Sequence, residues 1–244
     1  MTTAGIIVIG NEVLSGKVDE ANARLCIKEL RAIGVQLCRI SVIRDDEEEI
    51  AAEVRAMSPK FDHVLTSGGV GPTHDDVTIV GLARGLGVPL VRHPGLVELI
   101  HRVYPPERIT DRVLRMADVP EGTDLVDAPG LKFPVVRARN VFILPGVPEF
   151  FEIKLRAILS VLATDRPFYL KEIFVSAPEE KIADALEDTQ REIPGLEIGS
   201  YPRFDAADHR VKITLESRNL EAVERALELL LSRLNASDIV RVHR

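Results

Sequence analysis

The chain has no tryptophan, two cysteines among 244 residues and only 5% aromatic side chains. Nowhere does a basic stripe alternate with aromatics, and the formal net charge is −7, so the electrostatic footprint of a nucleic-acid binder is missing. No apolar run is long enough to span a bilayer. Met1-Thr2-Thr3-Ala4 enters a strand at Gly5–Ile9 directly, without a basic leader, which predicts neither secretion nor a membrane partner and a cytoplasmic location. Cys26 and Cys38 allow one pairing. Cys26 falls in a helical stripe with Leu25 and Leu30, and both cysteines read as small buried thiols rather than a disulfide, redox pair or metal site. Internal repeats and low-complexity tracts are also missing.

What is present is a hydrophobic fraction of 45%, enough for one large core or for one domain with a small companion. Short apolar runs alternate with amphipathic segments. Strand Gly5–Ile9 precedes a helix from about Asp19 to Ile33, ended by Gly34. Strand Gln36–Ile43 precedes a helix from Asp46, boxed by Glu49, to Met57. A strand at Asp62–Thr66 leads into a glycine-rich turn and a third helix. This order predicts parallel pairing with right-handed crossovers and helices on both faces of one sheet, whose ligands sit outside the carboxyl ends of its strands. Residues 94–117 read as helical, broken at Pro105-Pro106, and residues 124–144 return to short strands.

The last third changes pattern. A strand at Phe168–Val175, a helix at Pro178–Ile193, strands at Leu196–Ser200 and Arg210–Glu216, a helix at Leu220–Leu234 and a strand at Ile239–Val242 give the split β-α-β-β-α-β order. The fold class expected is therefore α/β, a three-layer, mostly parallel sheet, with a second, smaller α+β domain. The boundary falls in Thr164-Asp165-Arg166-Pro167, giving domains 1–165 and 166–244. Ser200 to Asp205 and His209 are placed in a central loop, where Arg203 reads as a solvated turn residue that could also reach an anion or another subunit.

The run Thr66-Ser67-Gly68-Gly69-Val70-Gly71-Pro72-Thr73-His74-Asp75-Asp76-Val77-Thr78 carries the chemistry. It places bare backbone and two carboxylates where a strand hands over to a helix. Val77, Val80, Ala83 and Leu86 have helical spacing up to Gly87, so a helix is expected from near Asp75, with its unpaired N–H groups facing an anion. Glycines let phosphate approach the main chain, and Asp75 and Asp76 suit a divalent cation. A plain turn with an Asp cap explains part of this; three glycines, a proline, two aspartates and two hydroxyls exceed what a turn requires. The spacing fits neither Walker A, since no Lys follows the last glycine, nor a dinucleotide fingerprint. His74 is expected in loop packing or a hydrogen bond within the turn.

Other loops share that rim. Gly10-Asn11-Glu12-Val13-Leu14-Ser15-Gly16 follows the first strand, and Asn22 sits early in the next helix. Asp45 and Asp46 end the second strand; Asp46 suits a helix cap, which leaves Asp45 the freer. Leu144-Pro145-Gly146-Val147-Pro148-Glu149-Phe150 opens a helix running to about Leu162, with ordinary first-turn chemistry and a plausible substrate contact.

These segments together resemble the molybdopterin-binding-domain (molybdenum cofactor biosynthesis) superfamily. The form Pro72-Thr73-His74-Asp75-Asp76 is similar to the amino-terminal domain of the competence-damage-inducible protein CinA. Val119-Pro120-Glu121-Gly122, Phe133-Pro134-Val135-Val136, Asn140 to Leu144 and Gly199-Ser200-Tyr201-Pro202 are closer to the molybdopterin-binding-like domain of eukaryotic FAD synthases. The resemblance implies a metal-dependent hydrolase, a nucleotide pyrophosphatase cleaving ADP-ribose or FAD. The alternatives are a molybdopterin-binding or adenylyl-transferring protein and a non-catalytic nucleotide or pterin module. By motif, Asp76 becomes the catalytic metal ligand, with Asp75 beside it and Asp45 opposite. Gly68, Gly69, Val70 and Gly71 hold phosphate. Thr73, Thr78, Gly10, Asn22, Pro145 and Gly146 complete the substrate seat, and Asp45 or Glu12 orients water around magnesium, cobalt or nickel. Asn11 stands where many members carry Asp, and Asp127 to Pro134 replaces a segment of typical CinA proteins. Neither the CinA deamidase domain nor the FAD synthase catalytic domain is expected in these residues. A homo-oligomer is expected on general grounds.

Overall fold

The first strand, β1 (Thr3–Ile9), is buried from Ala4 onward and alternates between two cores, as the two-residue period of a strand dictates. It is followed by α1 (Asn11–Leu14), α2 (Asn22–Ala32), β2 (Gln36–Ile43), α3 (Glu47–Met57), β3 (His63–Ser67) and α4 (Thr78–Leu86). Then come β4 (Leu90–Arg92), α5 (Pro94–Val103), α6 (Asp111–Leu114), β5 (Asp118–Pro120), β6 (Asp124–Val126), β7 (Val135–Ala138), β8 (Val141–Leu144) and α7 (Pro148–Ile158). The computed structural model describes residues 1–73, 75–162, 164–203 and 208–243. They fall into two compact units, Met1–Asp165 and Arg166–Arg244.

In the first unit the strands run β2-β1-β3-β8-β7-β6. The first four are parallel; β7 and β6 extend the sheet antiparallel. Ala4, Ile6 and Val8 pack with Cys26 and Leu30 of α2 and with Phe151, Leu155 and Ile158 of α7. Ile7 and Ile9 pack on the opposite face with Ile50 and Val54 of α3 and Leu82 and Leu86 of α4. Three layers result, and the carboxyl ends of β1, β2, β3 and β8 share one rim.

Local chemistry corrects several expectations. The helix placed at Asp19–Ile33 begins at Asn22, because Glu20 lies ahead of it and accepts the Ala23 N–H at 2.8 Å; residues 11–14 form a separate turn of helix. Asp46 does cap α3, accepting from Glu48 and Glu49 N–H at 3.0 Å. Glu49 does not close a box on it but accepts from the Arg44 N–H and guanidinium, which hold its carboxyl below the usual range. Residues 94–117 are α5 and α6 with 3₁₀ turns at Pro106–Arg108 and Arg115–Ala117, and the antiparallel pair β4–β5 closes a satellite core around Leu96, Ile100 and Val119.

Cys26 is buried, and burial first, then Glu20, pushes its thiol up to about 12. Cys38, expected inside, is exposed. The register skips from Ala4↔Leu37 to Gly5↔Arg39, so Cys38 is the extra residue of a bulge on edge strand β2.

The second unit runs β9 (Tyr169–Val175), α8 (Glu179–Glu192), β10 (Glu197–Pro202), β11 (Val211–Ser217), α9 (Leu220–Arg233) and β12 (Ile239–His243). Its sheet order is β10-β11-β9-β12, all antiparallel. The two helices pack on one face, against Ile173, Val175, Ile213 and Leu215. Ser200 and Tyr201 belong to β10 rather than to a loop. The Arg203 N–H donates to Arg210 O at 2.7 Å, and His209 lies against Asp208, 2.7 Å away, and edge-on to Phe174. Phe204 and Asp205 lie outside the described residues. Among those described, no helix is long and apolar enough to cross a membrane.

Candidate functional site

The glycine-rich connection leaves β3 at Ser67 and is built by close contacts within the protein. Gly68 has φ +110°, and a Cβ there would lie 2.1 Å from Ile9 O. Gly69 has φ +63°, with the Thr78 hydroxyl 2.4 Å from a would-be Cβ. At Gly71 the added atom would meet the Asp76 carboxylate at 2.6 Å. Gly68 and Gly69 are therefore required by the fold of the loop itself, whereas at Gly71 the obstacle is a carboxylate that can turn away.

The helix expected near Asp75 starts at Thr78. Thr78 is fully buried; its hydroxyl donates to Gly68 O at 2.8 Å and its N–H to Gly69 O at 3.1 Å. It pins the loop from below and does not face a ligand, which corrects its assignment to the substrate seat. Asp76 faces inward across the turn and accepts the Thr73 N–H at 2.7 Å, together with the Thr73 hydroxyl. Thr73 and Asp75 are exposed, and His74 lies outside the described residues.

Once these bonds are drawn, the N–H groups of Gly69, Val70 and Gly71 have no acceptor among the described residues. Gly69 and Val70 are half-buried, while the Val70 side chain packs into the core beneath. Successive amides left without an acceptor in a glycine-rich turn are the kind of donor set that can receive an anion.

Around this nest the rim is ordered by the sheet. On one side, Asp45 at the end of β2 accepts the Asn11 N–H at 2.8 Å, and its other oxygen faces Gly69. Glu12 is exposed and folds its carboxylate back over Gly10. Gly10 itself is buried with its N–H on Ile43 O at 3.1 Å, so it shapes the rim and offers no donor. On the other side, half-buried Pro145 and exposed Gly146 follow β8, Gly146 passing so near Gly68 that a Cβ would lie 3.2 Å from the Gly68 Cα.

Asn22 is the buried tie among these loops: its amide donates to Ser67 Oγ at 2.9 Å and to Gly146 O at 2.8 Å. Its expected part in the substrate seat becomes an indirect one. Asn22→Ala removes both bonds and leaves a carbonyl unpaired, so we expect a loss of about 2 kcal/mol in urea unfolding. Ser67, quoted in the glycine-rich run but given no role there, is the side chain that Asn22 holds. A cavity of about 40 Å³ opens between Ile9, Glu12, Asp19, Asn22, Ser67 and Pro148.

Among the described residues, no three His, Cys, Asp or Glu side chains gather to hold a metal ion. The donors present suit a hard cation that takes one or two carboxylates and fills its other positions with phosphate oxygens and water. In the second unit a wider open groove of about 690 Å³ lies between α8 and β10. It is surface relief: Gln190 accepts the Ile198 N–H at 3.3 Å, and Arg191 pairs with Glu187 and Asp188.

The family model described as a probable molybdopterin binding domain matches residues 5–164. The chain belongs to this family. The remainder, residues 167–243, matches the middle domain of FAD synthase. A probable FAD synthase of Caenorhabditis briggsae is 33% identical over 98% of this chain and 50% of its own length, so the chain spans about half of that relative. A protein of Archaeoglobus fulgidus is 35% identical over 94% of this chain and 97% of its own. The crystal structure of CinA from Thermoplasma acidophilum, of unknown function, superposes with a TM-score of 0.61 at 32% identity, covering 66% of this chain and 98% of that one.

Proposed function

We propose that the first unit is a nucleotide pyrophosphatase acting on FAD- or ADP-ribose-like molecules with the help of a divalent cation. The observation that carries this is that the Gly69, Val70 and Gly71 N–H groups have no acceptor among the described residues, in a loop that shares its rim with Asp45, Asp75 and Asp76. The amides hold non-bridging phosphate oxygens and oppose the charge that builds on them during cleavage. Asp75 and Asp76 would hold the cation, which when bound would supply Lewis-acid neutralisation of phosphoryl charge. Asp45 and Glu12, on the β2 and β1 side of the nest, orient the attacking water. The match of the second unit to an FAD synthase domain supports a flavin nucleotide as the class of ligand.

The test is incubation of the purified chain with magnesium, cobalt or nickel and FAD, ADP-ribose or NAD, followed by assay for AMP. We expect AMP from FAD or ADP-ribose only when the cation is present, and its removal by chelation to stop release. No AMP under any of these conditions overturns the hydrolase. The molybdopterin-binding family match favours one other reading, adenylyl transfer to a pterin phosphate, for which ATP and molybdopterin are the substrates to add.

A further inference from the structure

The cavity of about 40 Å³ beside the glycine loop keeps two polar groups unmatched once the bonds of its walls are drawn. Asn22 is only 6% exposed and Ser67 only 2%, so neither can leave those groups to bulk water. Gly146 O can only accept, so the Asn22 nitrogen must face it, and that nitrogen gives its other proton to Ser67 Oγ. The amide is thereby fixed in one orientation. Its Oδ1 accepts no hydrogen bond among the described residues, yet it is not sealed off and opens on the cavity that Asn22 lines. Ser67 Oγ accepts from Asn22, while its own proton has no acceptor among the described residues. A buried donor and a buried acceptor left unmatched cost about 1–3 kcal/mol each, which a third group placed between them removes.

The room fits water and little else. About 40 Å³ exceeds the roughly 10–15 Å³ that one water needs and lies far below the roughly 300 Å³ at which small-molecule pockets begin. Val8, Ile9 and Val13 supply apolar wall, and exposed Glu12 brings a carboxylate to the lining. Asp45 is not part of it and is held instead on the Asn11 N–H. Ser67 and Gly146 flank Gly68, the residue before the first amide without an acceptor.

We propose that this cavity seats the attacking water, with Ser67 Oγ donating to it, Asn22 Oδ1 accepting from it and Glu12 receiving its second proton. The inference rests on the pyrophosphatase reading above and assigns its nucleophile a place. Two protons and one lone pair of the water are then engaged, which leaves the other lone pair for phosphorus. As that P–O bond forms, the second proton passes to the Glu12 carboxylate. The bridging P–O bond breaks, its electron pair leaves with the other phosphate, and Glu12 returns the proton to solvent. One water is added and two phosphomonoesters result.

Two readouts on the full chain test this. A crystal structure of the parent chain should show a water within hydrogen-bond distance of both Ser67 Oγ and Asn22 Oδ1, lost in Ser67→Ala. With magnesium and ADP-ribose, Ser67→Ala is expected to lower kcat about tenfold while the Kd for inorganic pyrophosphate changes less than twofold. Ser67→Thr keeps the hydroxyl and should recover most of the rate. Val18→Phe, at an exposed wall residue, fills the cavity without touching the Asn22 tie and should show the same selective loss. A Ser67 that merely braces the loop would lose pyrophosphate affinity together with kcat. That joint loss, an unchanged kcat in both Ser67→Ala and Val18→Phe, or no water between the two atoms overturns the inference and leaves the pyrophosphatase standing. A parent chain that releases no AMP overturns both.

Discussion

On the proposed function, Asp76→Ala is expected to lower cation-stimulated release of AMP by at least about 100-fold while the chain stays folded, read by an AMP assay beside a melting curve. The size follows from the proposed role: removing a carboxylate that would hold the cation would forfeit roughly 3 kcal/mol of charge stabilisation in the transition state. The structure adds a complication, because Asp76 also accepts the Thr73 N–H and hydroxyl and so braces the turn that presents the amides. Asp76→Asn resolves it. An amide oxygen can still accept from Thr73 but brings no charge to a cation, so the asparagine variant should melt like the parent and be as inactive as the alanine one. If Asp76→Asn keeps its turnover, Asp76 is a turn residue, and the site must be rebuilt around Asp75 or Asp45. If alanine inactivates but asparagine does not, the brace matters and the cation lies elsewhere.

The legibility of this molecule in its sequence differed from element to element for physical reasons. The parallel core was readable because β1, β2 and β3 are short apolar runs separated by helices with clear caps and stops, Asp46 before α3 and Gly87 after α4 among them. The β-α-β-β-α-β order of the second unit was readable because α8 and α9 carry clean amphipathic periods and β11 alternates strictly between buried and half-buried positions. Bonds between residues distant in sequence were not. Asn22 to Gly146 spans 124 positions and Asn11 to Asp45 spans 34, and no local pattern announces either. The start of α4 was misjudged for a related reason. Asp75 and Asp76 look like a helix cap, yet Asp76 turns back to Thr73, and the buried Thr78 opens the helix by bonding the two glycines before it. Cys38 escaped because a bulge shifts register without leaving a compositional mark.

The second large effect concerns stability, and it decides what the glycines are for. Gly68→Ala is expected to destabilise the first unit by about 4 kcal/mol, combining the strain of an L-residue at positive φ with a forced displacement in a packed region. The atom in the way is Ile9 O, 2.1 Å from the new Cβ, and it belongs to the end of β1, the strand that pairs with β3 through Val8↔Ser67. No side chain can move aside; the ladder itself has to shift. For a unit of this size that amounts to a fall of about 12 °C in melting temperature, measurable by calorimetry. Gly130→Ala is the control: φ is +89° but nothing lies within 4 Å of the added atom, so only the strain remains, about 1 kcal/mol. Gly71→Ala lies between them in kind, since its Cβ meets the Asp76 carboxylate, a side chain that can turn away, and should cost activity more than stability. A Gly68→Ala variant as stable as Gly130→Ala would mean that the loop has room at that position after all, and the bare backbone there would have to be explained by what binds to it.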